Sequence, residues 1–229
     1  MEKMVLCRAK FKREVSLKKL IVAIFVATST YAVFPQPSGI EAAVAQQIEG
    51  TVSVIPRRSS TDGVLEACGL EFSEIKRDFS TKRGAPVTMV GSFYLRLNKQ
   101  AGLAYNLKLG LFDGLGNTTR PVAPSNAFIS APSGRAPKKA IRRDSDTAGY
   151  ALYVGALDDD VVAAYAGILE KKKLVVGFNR AIGQQDVSAS IDLTVTDANI
   201  VGGEMVRTRS DDSVRDFSSC VGDLLKSAR

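Results

Sequence analysis

The 229-residue chain contains no histidine and no tryptophan, only three cysteines, and aromatic residues make up 7% of it. Without histidine, a Ser-His-Asp or Cys-His nucleophile system, a His-ligated zinc or haem and an imidazole proton shuttle are all excluded. Three thiols, at Cys7, Cys68 and Cys220, fall short of a Cys-only zinc site or a four-cysteine iron–sulfur cluster. Long apolar runs are absent apart from one near the amino terminus, and a mean hydropathy of +0.02 does not fit a polytopic membrane protein. The hydrophobic fraction of 45% nonetheless supports a packed core.

The one apolar run, Leu20 to Phe34, follows a basic head of Lys3, Arg8, Lys10, Lys12, Arg13, Lys18 and Lys19. Basic then apolar is the order of a secretory signal. The run is about 15 residues against the roughly 20 of a spanning helix. Ala43-Val44-Ala45 reads as its cleavage site, with Ala32 as a competing one and an uncleaved signal anchor as the alternative. Either way the body is expected to be exported, periplasmic or at the surface, and to meet the membrane only through this segment if it stays uncleaved. Residues 1–45 hold seven basic and three acidic side chains, so the body retains 24 basic against 21 acidic, a net +3. The pI of about 9.4 therefore partly reflects the signal and gives no specific argument for nucleic acid.

Removal of Cys7 leaves Cys68 and Cys220, which an oxidising compartment would join, with a reduced, buried pair as the alternative. Closing a loop of about 150 residues is worth on the order of 4 to 5 kcal/mol in the chain-entropy account.

Within the body, residues 46–63 are polar and read as a flexible lead-in to a single β-rich domain over 64–229. Val64 to Phe72 reads as a first strand. Val87, Met89, Phe93, Leu95 and Leu97 then alternate with Thr88, Ser92, Tyr94, Arg96 and Asn98, the period of a half-buried strand. Leu103 to Leu111 repeats the pattern, so an antiparallel hairpin is expected. The proline-bearing stretch 114–148 reads as loop around a short strand at Ala127 to Ser130. Tyr150, Leu152 and Val154 form the next alternation. A short helix with Val161, Val162, Tyr165, Ile168 and Leu169 follows Asp158, Asp159 and Asp160, which suit its amino-terminal dipole better than a calcium loop. Leu174 to Phe178 and Val187 to Val195 read as strands. Ser210-Asp211-Asp212 caps a helix whose apolar stripe is Val214, Phe217, Val221, Leu224 and Leu225, with Cys220 on the same side. The expected fold is an antiparallel β-sandwich or open barrel, with a short helix and a carboxy-terminal amphipathic helix packed on the sheet.

From Tyr150 to Leu225 this order of features resembles the carboxy-terminal half of the invasion-associated locus B family of exported alphaproteobacterial proteins. The shared features are the alternating strand, the Leu157-Asp158 step into Val161-Val162, the Leu-Val-Val-Gly-Phe strand at 174–178, a turn with Gly183 and the Val-x-Ala-x-Ile-x-Leu strand. The family's Tyr-Val-Arg-Cys and Gly-Cys-x-Ala segments are missing. The resemblance implies a small periplasmic or surface β-sandwich without enzymatic activity.

No catalytic constellation, metal site or cofactor is expected. Asp113-Gly114-Leu115-Gly116-Asn117 lacks the Gly-Lys-Ser/Thr ending of a phosphate loop. Glu71, Glu74 and Asp78 offer carboxylates for glycoside hydrolysis only by proximity in sequence. The leading expectation is a non-enzymatic protein that binds an envelope or extracellular protein or supports the envelope. The alternative partner is an anionic envelope polymer, such as lipid A, an anionic glycan or a phosphate polymer, held by the dense basic stretch Arg135, Lys138, Lys139, Arg142 and Arg143. A hydrolase of unrecognised type is the third reading. The basic stretch has no interleaved aromatic on which bases could stack.

Overall fold

The computed structural model describes residues 39–98, 102–114, 120–130, 140–156, 159–202 and 204–227. In chain order the elements are α1 (Gly39–Ile48), β1 (Gly50–Thr61), β2 (Val64–Asp78), β3 (Ala85–Asn98), β4 (Gly102–Asp113), β5 (Asn126–Ser130), β6 (Ile141–Asp144), β7 (Ala151–Ala156), α2 (Asp159–Lys171), β8 (Lys173–Asn179), β9 (Val187–Asp192), β10 (Val195–Val201), β11 (Glu204–Arg209) and α3 (Asp212–Ser227). The protein is mainly β. Six strands form an antiparallel sheet in the order β1-β2-β3-β4-β7-β6, three form a second, β5-β8-β9, and β10-β11 is a separate hairpin. Among the described residues no sheet closes into a barrel, because β1 and β6 remain edges of the large sheet, and the six-, three- and two-stranded sheets do not form a clear two-layer sandwich.

Period-two patterning places the core. Leu70, Phe72, Met89, Phe93, Leu107 and Leu109 point from the large sheet into one continuous cluster. It also contains Ile129, Val176, Phe178 and Ile191 of the second sheet, Val161 and Ile168 of α2, and Phe217 and Leu224 of α3. As expected, α3 buries Val214, Phe217, Cys220, Val221 and Leu224 against the sheet, while Leu225 is exposed. Ser210 Oγ accepts from the Asp212 amide at its start, 3.1 Å. Cys68 and Cys220 form a disulfide with Cα atoms 5.7 Å apart.

Four expectations are corrected. The polar segment read as a flexible lead-in is strand β1 from Gly50 onward, paired with β2 to Thr61 with register shifts at Thr51/Ser53 and Ser59/Ser60. As an edge strand with most of its second half exposed, it needs few apolar residues, and Pro56 is tolerated there. Second, β7 runs in the opposite phase to that read from Tyr150, Leu152 and Val154, because Ala151 and Tyr153 are the residues buried in the core. Tyr153 carries its hydroxyl into the core and donates it to the Pro124 carbonyl. Third, the strand expected over Val187 to Val195 breaks at Leu193-Thr194, where Asp192 Oδ1 accepts from the Thr194 amide and hydroxyl at 3.0 and 2.7 Å. This side-chain-to-backbone turn leaves the apolar alternation unbroken, so the pattern hides it. Fourth, Val162 and Leu169 of α2 face solvent, leaving Val161, Ala164 and Ile168 inside.

Candidate functional site

Of the expected polyanion residues, Arg135, Lys138 and Lys139 lie outside the described residues. Arg142 and Arg143 sit on the exposed edge strand β6. Arg142 registers with Tyr153, whose side faces the core, and comes within 3.5 Å of Asp144. Arg143 registers with Leu152 on the other side. Strand alternation thus sends the two guanidinium groups to opposite faces, and they do not form one patch.

The three candidate carboxylates are also separated. Glu71 is on the surface, in an ion pair with Arg57 at 2.9 Å. Glu74 is buried and accepts a hydrogen bond from Thr51 Oγ1, 2.7 Å. Asp78 is fully buried in an ion pair with Arg180, 3.0 Å. Burial pushes the Asp78 carboxyl up, but hydrogen bonds from the Thr81 hydroxyl and amide and from Arg180 outweigh it and hold the group below the ordinary aspartate range. No carboxylate pair of the glycosidase kind results. Of the aspartates before α2, Asp158 lies outside the described residues and Asp159 opens the helix. Among the described residues no cluster of three or more Cys, Asp or Glu could hold a metal.

What the register does assemble is the face of the large sheet turned away from the core. One row across it is Arg57, Gly69, Tyr94, Asn106, Val154 and Ile141. The adjacent row is Ile55, Glu71, Ser92, Lys108, Leu152 and Arg143. A hollow of about 380 Å³ opens over Ser53, Ile55, Glu71, Ser92, Lys108 and Tyr150. It shares Ser92 and Lys108 with a second of about 250 Å³, lined also by Ser59, Tyr94, Arg96 and Asn106. A third of about 270 Å³ shares Arg96 and Asn106 with the second and is continued by Glu66 and Val154. The hollows thus lie side by side from β1 to β7, each sharing lining residues with the next, and together they are called the groove below.

Two tyrosines lie on its floor over glycines. A β-carbon at Gly69 would fall 2.4 Å from the Tyr94 ring, and one at Gly110 would fall 2.7 Å from that of Tyr150. Only glycine lets a ring lie this close to the backbone. The Tyr94 hydroxyl is raised above its ordinary range by burial and by the neighbouring Glu71 charge, to which it is hydrogen-bonded. Burial alone raises Tyr150. The Lys108 ammonium donates to Asp146 Oδ1 and Thr147 Oγ1 at 2.9 and 2.7 Å and lies 5.6 Å from the Tyr150 ring centroid. Hydrogen bonds from Lys108, Ser145 and Thr147 lower exposed Asp146 to about 2.

With this geometry in hand, comparison with known proteins adds no precedent. No protein family, curated protein or solved structure matches the chain. The groove is therefore read from its own chemistry: hydroxyls, an amide, paired charges and aromatic rings around an apolar floor that includes Ile55, Val90 and Leu152, a set suited to a ligand with both polar and apolar faces. Of the residues on this face, the sequence pointed to Glu71, as a hydrolytic carboxylate, and to Arg143, as a polyanion contact, but not to Ser92, Tyr94, Asn106 or Lys108. Their signal was the polar phase of the β3 and β4 alternation, Ser92, Tyr94 and Arg96 against Asn106 and Lys108, but only the cross-strand register turns two such stripes into a surface.

Proposed function

We propose that this is an exported, non-enzymatic β protein of the bacterial envelope or cell surface, akin to the invasion-associated locus B proteins, and that it binds a partner on the open face of its six-stranded sheet. The observation that carries the reading is the pair of adjoining hollows over Glu71, Ser92, Tyr94, Asn106 and Lys108, where polar side chains rim a partly apolar floor. Export is supported by the basic-then-apolar amino terminus and by the Cys68–Cys220 disulfide, a bond that persists in oxidising compartments. The intact mass of protein recovered from its native envelope, before and after reduction and alkylation, tests the compartment. A chain beginning at Gln46 with no free thiol before reduction is expected, and a full-length cytosolic chain with three free thiols would overturn export.

The partner is tested by a photo-crosslinking amino acid at Ser92, in the middle of the groove. Envelope adducts that vanish with Lys108→Glu are expected. The second reading, polyanion binding by the 135–143 stretch, is favoured by one observation: Arg143 ends the row that contains Lys108. It requires adducts or retention that fall steeply with salt and with charge removal at Lys138, Lys139, Arg142 and Arg143.

A further inference from the structure

We infer that the open face is a carbohydrate site, and that its ligand is a neutral, hydroxyl-rich glycan chain lying across β2, β3 and β4 with Tyr94 as its stacking platform. This assignment rests on the reading of the open face as the binding surface and adds the class of ligand.

The first observation is the placement of the ring. Tyr94 lies over Gly69, is half-buried and lines the hollow of about 250 Å³, so one face rests on the sheet and the other is turned to the groove. Its close contact with Gly69 holds the ring flat against the sheet, and that contact does not need the hydroxyl. The electron-rich face of an aromatic ring attracts the weakly positive C–H groups on the apolar side of a sugar ring.

Second, β2, β3 and β4 are interior strands whose backbone groups are committed to their ladders. A ligand on this face meets side chains only. An extended peptide recognised by strand addition would need a sheet edge instead. Ser92 and Asn106 supply both donors and acceptors, the complement of vicinal hydroxyls.

Third, the charges flanking the groove are paired: Arg57 with Glu71, Lys108 with Asp146, and Arg96 with Glu66 at 3.9 Å. A phosphorylated or sulfated polymer would have to compete with these carboxylates for Arg57, Lys108 and Arg96. An uncharged ligand leaves the pairs in place and uses their outer lone pairs and N–H groups as hydrogen-bonding sites.

The experiment is native affinity electrophoresis of the full chain through gels containing hydroxyethyl cellulose, xylan or laminarin, with a heparin gel alongside. Retardation by at least one neutral polysaccharide is expected, and it should persist at about 1 M salt, where the Debye length is about 3 Å. Tyr94→Ala should weaken it roughly tenfold or more, whereas Tyr94→Phe, which keeps the ring, should retain it. A cooperative urea-unfolding transition like that of the unsubstituted protein certifies that each variant is folded. Retardation on heparin alone, retardation indifferent to Tyr94→Ala, or none in any gel would overturn the glycan assignment. In those cases the Ser92 crosslinker separates the two claims: protein adducts leave the open face as a binding surface for a different ligand, and no adducts remove both.

Discussion

Buried between β1 and β2, Glu74 accepts a hydrogen bond from Thr51 Oγ1, which in turn accepts one from the Asp192 amide, 2.7 Å. Burial pushes the Glu74 carboxyl up to about 7 from an ordinary 4.5, against the lowering effects of the Thr51 bond and of Lys76 and Arg207. Below about 4.5 the folded and unfolded chains are both protonated here. Between 4.5 and 7 only the unfolded chain ionises, so this residue's contribution is lost as pH rises through that window, on the order of 3 kcal/mol in all. Glu74→Gln should flatten the stability profile from pH 4.5 to 7 in urea titrations, and an unchanged slope would assign the titration elsewhere. Asp78, Asp113 and Asp192 act in the opposite sense. Their lowered carboxyls stabilise the fold above the ordinary aspartate range, and that stabilisation is lost as pH falls through their folded values.

Among the elements, the β3-β4 hairpin was legible because its inner face is apolar throughout and the middle of its outer face, from Ser92 to Arg96 and Asn106 to Lys108, is polar, so a single phase satisfied both strands. Helix α3 was legible for the corresponding reason at period 3.6, down to the inward position of Cys220. The elements that escaped follow other physics. β1 and β6 are edges with many exposed polar positions, and β10-β11 exposes Ile200, Val201 and Val206, so burial does not pattern their sequences. The hairpin's docking is instead polar: Arg207 donates to the carbonyls of Ile48, Glu49 and Thr51. The candidate groove escaped because it joins residues from five strands, and no single segment of sequence contains it. On α3, Phe217 packs against Phe93 and Tyr165 at centroid distances of 6.2 and 5.9 Å, beside the disulfide. The double variant Cys68→Ala/Cys220→Ala should lose about 2 to 5 kcal/mol in denaturant unfolding. Reduction should destabilise the unsubstituted protein similarly and leave the variant unaffected.

Across the whole molecule, one polar knot ties the two larger sheets together. Arg180, in the turn after β8, bridges Asp78 at the end of β2 and Asp113 at the end of β4, at 3.0 and 2.8 Å, and Lys82 joins Asp113 at 2.9 Å. Arg180→Ala would leave the fully buried Asp78 carboxylate without its cation, a loss of about 3 to 5 kcal/mol. The double variant Asp78→Asn/Arg180→Ala should recover part of it in the same unfolding measurement, because no charge is then stranded.

The disulfide also sets an order of events during biogenesis. Cys68 and Cys220 are 152 positions apart. At about 5 to 20 residues per second of synthesis, the second sulfur follows the first by roughly 8 to 30 s. Throughout that interval the β2 thiol is exposed to mispairing, and the core surface later covered by α3 is bare. Export of a chain not yet folded would deliver both thiols to the oxidising side before either is used, so the passage itself would decide when this domain closes.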